Sequence, residues 1–267
     1  MTGNDRREIV VQERDRQLLR ELSLMRVVDR EQAKVVAGFR STTRANARLL
    51  GLTRAGLLKR FFLGTTAGGR KALYAISAKG AQLVGLPARG PRRRNDEALA
   101  TDFFVQHQLA VNEIYCTLKY CPIPLAGVSF GRWLNFYEPL TSGLRLIPDG
   151  YLELQTPAGI AAFFLEVDLG HEGLSVWKEK VRNYLQCALS GEFGRRFGVN
   201  RFRVLVLANS ERRLISIRKV IAAMTEKIFW LATFEAVKRD GFFSSIWLRP
   251  KGEERLPLMQ GNPPEHP

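Results

Sequence analysis

Residues 51–84 read GLTRAGLLKRFFLGTTAGGRKALYAISAKGAQLV, and the fold of the N-terminal third turns on their punctuation. The opening GLTR closes a helix, Ala55-Gly56 makes a turn, and Leu57 to Leu63 is apolar and aromatic enough for a strand. TTAGGRK is a glycine-rich turn with Arg70 and Lys71 at its tip, and ALYAIS is the returning strand. Glycine supplies positive φ in such turns without a Cβ clash, so the segment predicts a β-hairpin. Ala78 to Val84 then begins a further helix. Working outward toward the N-terminus, three helices precede the hairpin. Residues 13–25, ERDRQLLRELSLM, set Leu18, Leu19, Leu22 and Met25 at helical spacing. Asp29 caps a second short helix ending at Gly38, and Ser41 caps a third, TTRANARLLG. On that third helix Leu49, Leu50 and Leu52 point one way, while Arg44 and Arg48, at i,i+4, share another face.

Charge separates this third of the chain from the rest. The 267 residues hold 41 Lys+Arg and 26 Asp+Glu, a net of +15. Residues 1–96 contribute 21 and 8, a net of +13, and residues 97–267 contribute 20 and 18, a net of +2. A uniform solubility charge would be spread evenly. A basic field confined to one segment is what a domain holding phosphate requires. Hydrophobic residues make up 45%, enough to bury a real core. No apolar run approaches the length of a membrane span, and MTGNDRREIVV lacks the apolar core of a signal peptide, so a cytoplasmic protein is expected. Cys116, Cys121 and Cys187 form no CxxC and have no paired histidines nearby, which suits ordinary core thiols in a reducing compartment.

Three helices followed by a hairpin is the order of a winged helix-turn-helix, whose third helix enters the major groove of DNA. Over roughly residues 12–86 the chain resembles winged-helix DNA-binding domains. Ala55-Gly56-Leu57-Leu58 fill the turn into the first wing strand, and Tyr74-Ala75-Ile76-Ser77-Ala78-Lys79-Gly80 fill its return. On the third helix the side chains outside the core are Thr42, Thr43, Arg44, Asn46 and Arg48, and Arg and Asn pair bidentately with guanine and adenine edges. Arg40, Lys59, Arg70 and Lys71 are placed for phosphates beside the groove. For any one of these arginines a merely solvated face is an equal reading; the set together points to double-stranded DNA. Residues 85–96, GLPARGPRRRND, carry two prolines and four arginines. They read either as a solvated linker or as a basic arm whose Arg92, Arg93 and Arg94 track phosphate or the minor groove.

Beyond Glu97 the chain reads first as a helix to Tyr120, then as strands GVSFGRWLNFYE, LRLIPDGYLEL and IAAFFLEVDLG, a helix GLSVWKEKVRNYLQCALSG and a buried strand FRVLVLANS. A helix ERRLISIRKVIAAMTEKI and late strands IFWLATF and FFSSIWL follow. This alternation predicts an α/β (α+β) domain over residues 97–250, a mixed sheet flanked by helices, after a DNA-binding domain at 1–85 and a linker at 86–96. The Pro- and Glu-rich tail, 251–267, is expected to be disordered.

Two acidic clusters stand out in the second domain. Pro148-Asp149-Gly150 ends or interrupts one strand, and Glu166-Val167-Asp168 ends the next, which is apolar enough to be central. Buried carboxylates need a partner or a cation. One Asp and one Glu at paired strand ends is how the PD-(D/E)xK nuclease fold holds a divalent metal, so Asp149, Glu166 and Asp168 are candidate ligands of Mg²⁺ or Mn²⁺. The usual lysine position holds Asp168. Lys178 or Lys180, on the following helix, is then the candidate for a displaced lysine, with Asp149, Glu166 and Lys180 as the catalytic set if the site is active. The alternative is a structural remnant neutralised by Arg or Lys neighbours. His107, on an amphipathic helix, reads as a packed residue, while His171 lies beside the carboxylates; His266 falls in the tail.

The whole chain, over roughly residues 12–250, resembles the replication-relaxation family of plasmid and mobile-element proteins. The resemblance rests on the winged-helix pattern, His107-Gln108-Leu109-Ala110-Val111, Ile147-Pro148-Asp149-Gly150, Phe164-Leu165-Glu166-Val167-Asp168 with Gly170 and Glu172, and Trp177-x-x-Lys180-x-x-x-Tyr184. It implies DNA binding in plasmid replication, relaxation or mobilisation, with a C-terminal domain similar to PD-(D/E)xK nucleases. Candidate partners besides DNA are a second copy of the chain and a relaxase or replication protein. Three readings of the second domain stay open: a degenerate nuclease fold used for partner contact, a metal-dependent endonuclease or nickase, and the ligand-sensing part of a transcriptional regulator.

Overall fold

A computed structural model describes residues 9–65, 68–99, 101–141 and 143–259. The chain is α/β and divides into two units between Tyr120 and Cys121. Among the described residues no helix is long and apolar enough to cross a membrane.

The first unit begins with α1 (Glu13–Met25), β1 (Val28–Asp29), α2 (Arg30–Ala37) and α3 (Thr42–Arg54). Local chemistry sets their ends. The Asp29 carboxylate accepts from Gln32 N at 2.9 Å, and Gly38 takes the left-handed conformation at φ 65° that closes α2. Ser41 caps α3. The expected hairpin is β2 (Leu58–Gly64) with β3 (Arg70–Ile76), antiparallel from Leu58↔Ile76 to Gly64↔Arg70. Two residues of its turn, Thr66 and Ala67, lie outside the described residues. β1 adds to β3, and α4 (Ala78–Val84) follows, capped by Ser77. A Cβ on Gly80 would stand 2.2 Å from the Leu57 carbonyl oxygen, so only glycine lets α4 start this close to the hairpin.

Residues 86–96 are not a free tether. Pro87 O accepts from Ser23 Oγ at 2.7 Å, Arg89 O from Arg26 Nε at 3.0 Å, and Asn95 Oδ1 from the Arg60 amide at 3.0 Å. The segment lies along the sheet and runs into β4 (Ala98–Leu99), which pairs parallel with β2 and completes the order β1-β3-β2-β4. The next helix, α5 (Phe103–Tyr120), belongs to this unit as well, so the boundary expected at residue 97 moves to 120. Val105 packs into the core of Val27, Phe61, Leu63, Leu73 and Ala75, and Asn112 Nδ2 donates to Met25 O at 3.0 Å and Val27 O at 2.6 Å. Met25 ends α1 and its carbonyl also accepts from the Val27 amide at 2.8 Å, so Asn112 ties α5 to the backbone at the end of α1.

The second unit holds β5 (Ser129–Leu134), β6 (Gly150–Thr156), β7 (Gly159–Asp168), α6 (Leu174–Leu189), α7 (Glu192–Phe197) and β8 (Arg203–Ala208). It continues with α8 (Glu211–Ala222), β9 (Phe229–Thr233), α9 (Phe234–Asp240), β10 (Trp247–Leu248) and β11 (Arg255–Leu256). The strands form one seven-stranded sheet in the order β11-β10-β9-β8-β7-β6-β5. β5, β6 and β7 are an antiparallel meander, and β7, β8 and β9 are parallel, which requires the crossovers through α6–α7 and α8. One sheet face carries Phe164, Val204, Val206, Phe229 and Leu231 into a core with Trp177, Val181, Tyr184 and Ile217 of the helices.

Three strand expectations change here. LRLIPDGYLEL is a strand only from Gly150, since Leu144 and Leu146 enter the core from a loop and Pro148 has no amide to donate. IFWLATF stops at Thr233, whose hydroxyl accepts from Ala236 N and starts α9. FFSSIWL contributes only Trp247 and Leu248. The tail is ordered further than composition suggests: Arg255 and Leu256 pair with β10, and Leu258 is buried. Residues 260–267, with His266, lie outside the described residues.

Candidate nucleic-acid interface and acidic site

On α3, Thr43, Arg44, Asn46 and Ala47 are exposed, opposite the buried Ala45, Leu49 and Leu52. Arg54, which the sequence reading passed over, is exposed on the same helix. It lies about three turns from Thr43 and Arg44, so helical periodicity alone would have found it. Thr42 is half-buried, and its Oγ1 accepts from Lys34 Nζ at 3.0 Å. Around this helix, Arg40, Lys59 and Arg70 are exposed, as are Arg92 and Arg94 of the strap. None of Arg40, Arg44, Arg54, Lys59, Arg70, Arg92 and Arg94 forms an ion pair with another described residue.

Three residues expected in the same set are engaged elsewhere. Arg48 pairs with the fully buried Asp15, donating from Nε at 2.9 Å and again from its terminal nitrogen, which also reaches Val10 O at 2.6 Å. Asp15 also accepts from Gln12 N, so Arg48 ties α3 to the first turn of α1. The hydrogen bonds to Asp15 hold the guanidinium above its ordinary pKa. Arg93 pairs with Asp102, which caps the start of α5, and Lys71 Nζ lies 3.0 Å from Asp29 Oδ2. Arg48 therefore leaves the base-reading set as a correction, because neutralising a buried carboxylate outweighs exposure of a guanidinium. Arg93 and Lys71 keep partial exposure but already have partners.

In the second unit, the register Gly150↔Leu165 sets Asp149 across from Glu166. Asp149 stands immediately before β6, where the sequence suggested a residue that ends or interrupts a strand. Its amide donates to Leu165 O at 3.2 Å, and its Oδ2 accepts from Val167 N at 2.7 Å. Glu166 and Asp168 lie two apart on β7 and share a face, and Trp177, Lys180 and Tyr184 form the facing stripe of α6. Glu166 Oε1 accepts from the Tyr184 hydroxyl at 2.5 Å, and Oε2 from Lys180 Nζ at 2.8 Å. Lys180 also reaches Glu172 at 2.8 Å. Lys178, the other displaced-lysine candidate, is exposed. Asp168 is held bidentately by Arg213 at 2.7 Å and 2.7 Å, and accepts from Trp177 Nε1 and Gly170 N. Arg213, in the first turn of α8, escaped the sequence reading because no local pattern links it to a carboxylate 45 residues earlier.

Electrostatics follow from this closure. Burial pushes the Glu166 carboxyl up to about 7, with Lys180 opposing the rise and the Asp149 charge adding to it. Burial alone would lower Lys180, but Glu166, Asp149 and Glu172 outweigh it and hold the ammonium above its ordinary value. Burial would likewise raise Asp168, yet the bonds from Arg213, Trp177 and Gly170 hold it below the usual carboxylate range.

The donors expected for Mg²⁺ or Mn²⁺ do not fit one ion. Among the described residues no group of three or more His, Cys, Asp or Glu side chains is disposed to hold a metal. Asp168 turns both oxygens to Arg213, and both Glu166 oxygens are taken by Lys180 and Tyr184. Asp149, Glu166 and Lys180 are brought together, but Asp168 belongs to a second, separate pair. His171 is exposed in the loop before α6, and His107 is half-buried on α5.

Residues 17–201 match the family model described as replication-relaxation, which is more than half of the sequence, and the chain belongs to that family. Membership points to a role in replication or relaxation of plasmid or mobile-element DNA. The match takes in both the exposed face of α3 and the Glu166–Lys180 cluster. No curated protein and no solved structure matches the chain.

Proposed function

We propose that this is a sequence-reading, double-stranded-DNA-binding protein of plasmid or mobile-element replication, relaxation or mobilisation. Residues 1–120 act as a winged helix with α3 as the recognition helix. Residues 121–267 act as a nuclease-like fold whose acidic site is closed by its own cations and serves contact with a replication protein, a relaxase or a second copy. The observation that carries the reading is the exposed row Thr43, Arg44 and Asn46, unpaired among the described residues and flanked by Arg40, Lys59 and Arg70. In the same unit, Arg48, Arg60 and Arg93 are spent on carboxylates. A protein that leaves some arginines solvated while pairing their neighbours presents a surface for an anionic partner. The meander-then-parallel order of β5 to β8, with Asp149 opposite Glu166, supports the nuclease-like reading of the second unit.

The test is duplex binding by the full chain on cognate and random DNA at several salt concentrations. Arg44→Ala should cost about 1–3 kcal/mol on the cognate sequence and flatten base preference. Arg70→Ala should weaken binding evenly and reduce the salt slope by about one. Equal losses from both variants on both DNAs would remove α3 from the groove. The endonuclease alternative has one observation in its favour, the reach of Lys180 to Glu166 with Asp149 alongside. Incubation with supercoiled plasmid and Mg²⁺ or Mn²⁺, against a chelator control, decides it: nicking that disappears in Lys180→Ala would replace the closed-site reading.

A further inference from the structure

At the end of β7 away from Glu166, beside the start of β8, lies a cleft of about 540 Å³. Its floor is apolar, with Val128, Ile160, Ala162 and Phe163, and Arg201, Arg203 and Arg249 line it too. The volume falls within the roughly 300–1,000 Å³ of small-ligand sites. The arginines are unusual in their company. The guanidinium carbons of Arg203 and Arg249 both lie over the Trp230 ring, 4.9 Å and 4.7 Å from its centre. Neither forms an ion pair with a described carboxylate; their protein acceptors are the backbone oxygens Leu258 O at 2.5 Å and Glu226 O at 2.9 Å. The buried Trp230 Nε1 has no acceptor among the described residues. Burial lowers the pKa of both guanidinia, and Arg203 lowers that of Arg249 further. Everywhere else in this unit where an arginine is as buried, the fold supplies an acceptor of opposite sign or a pair of carbonyls, as Arg213 and Arg218 show.

Two like charges half-withdrawn from water beside a donor-rich, acceptor-poor wall are costly unless an anion joins them. We propose that this cleft binds a phosphate-bearing ligand with an apolar or planar body, a nucleotide either free or at the end of a DNA strand. The phosphate sits against Arg203 and Arg249, with Arg201 at the mouth, and the base lies on the Ile160–Phe163 floor. Planar guanidinia suit phosphate through paired N–H donors. The site is independent of α3 and of the carboxylates, and Arg203, Trp230 and Arg249 lie beyond the segment that matches the family.

The experiment is calorimetric titration of the full chain with 5′-dAMP, and with a short single-stranded oligonucleotide carrying or lacking a 5′-phosphate. Arg249→Gln should weaken 5′-dAMP or the phosphorylated strand at least tenfold. Ile160→Trp, a substitution of a half-exposed floor residue, should fill the cleft and abolish the binding without disturbing the arginines. Arg44→Ala should leave it unchanged, which separates this site from the proposed duplex surface. Tighter binding of the phosphorylated strand than of 5′-dAMP assigns the site to strand ends, and the reverse order assigns it to free nucleotide. No binding of any probe by folded wild type, or binding that survives both Arg249→Gln and Ile160→Trp, overturns the proposal.

Discussion

Replacing Lys180 by Met tests whether the acidic site is a closed structural pair. The Glu166 side chain is 0% exposed and, among the described residues, its only cation within bonding distance is Lys180 Nζ, at 2.8 Å. Removing that ammonium while keeping the carboxylate leaves a buried charge held, among the described residues, by the Tyr184 hydroxyl, beside the like charge of Asp149. Breaking a buried pair in this way costs about 3–5 kcal/mol, whereas replacing both partners is often close to neutral. The double variant Lys180→Met/Glu166→Gln should therefore recover most of the loss, since the amide still accepts from Tyr184. The pH dependence has a definite sign. Glu166 titrates higher in the folded chain than its ordinary 4.5, so the folded state binds the extra proton, and its contribution to stability falls as pH rises from about 4.5 toward 7. Without Lys180 the folded value rises further, so the deficit of Lys180→Met should be smaller at pH 5 than at pH 8. Urea unfolding followed by tryptophan fluorescence isolates the relevant unit, because Trp133, Trp177, Trp230 and Trp247 are the chain's 4 tryptophans and all lie in it. A deficit below about 1 kcal/mol, or one identical at the two pH values, would refute the argument.

Arg48→Ala should destabilise the first unit by about 3–5 kcal/mol by stranding Asp15, read from far-UV circular dichroism melts, and Asp15→Asn/Arg48→Met should restore much of it. Asp168 titrates below its ordinary value, so its contribution is complete above about pH 4 and lost as pH falls further; Asp168→Asn should flatten that acid limb of a stability-versus-pH curve. Gly90→Ala should lower the melting temperature of the first unit, because a Cβ there meets Ala75 Cβ at 2.8 Å and Arg26 O at 2.9 Å; an unchanged melt would show that the strap can lift off the sheet.

What was legible in the sequence was whatever local chemistry decides. Asp29, Ser41 and Ser77 each accept from a backbone amide three residues on, and Gly38 and Gly85 end helices in the left-handed region. Apolar spacing located α1, and the caps located α4, at their observed ends, and β2 came within a residue; β3, however, begins at Arg70, so Arg70 and Lys71 are paired in the strand and not at the tip of the turn. Partners far apart in the chain were not legible. Nothing in TTRANARLLG announces that Arg48 turns to an aspartate 33 residues earlier while Arg44 stays in water. The strap shows the same limit: its prolines and arginines suit a solvated linker or a basic arm and do not reveal that its backbone carbonyls accept from Ser23 and Arg26 and its Asn95 side chain from the Arg60 amide. Periodicity finds the apolar face of α5 without saying which core receives it; buried Asn112, bonded to the carbonyls of Met25 and Val27 at the end of α1, does.

The motif Glu166-x-Asp168 with Trp177-x-x-Lys180-x-x-x-Tyr184 makes physical sense as one object once its hydrogen bonds are followed. Alternation along β7 puts both acids on the helix-facing side of the sheet, and the i, i+3, i+7 stripe of α6 answers with an indole N–H, an ammonium and a phenol. Each motif side chain thus satisfies one of the two carboxylates, and Arg213 completes the set from α8. The balance is still uneven: among the described residues three carboxylates, Glu166, Asp168 and Glu172, share two cations, Lys180 and Arg213. A proton on the most buried acid relieves that excess most cheaply, because it removes a charge where hydration is weakest. This is why Glu166, fully enclosed and opposite Asp149, is the carboxyl pushed toward neutrality, while Asp168, with a bidentate guanidinium, is held ionised. An acidic site that neutralises itself by pairing and by protonation needs no external cation for stability. The basic excess left for an anionic partner then lies mainly in the first ninety-odd residues, where the net charge is +13.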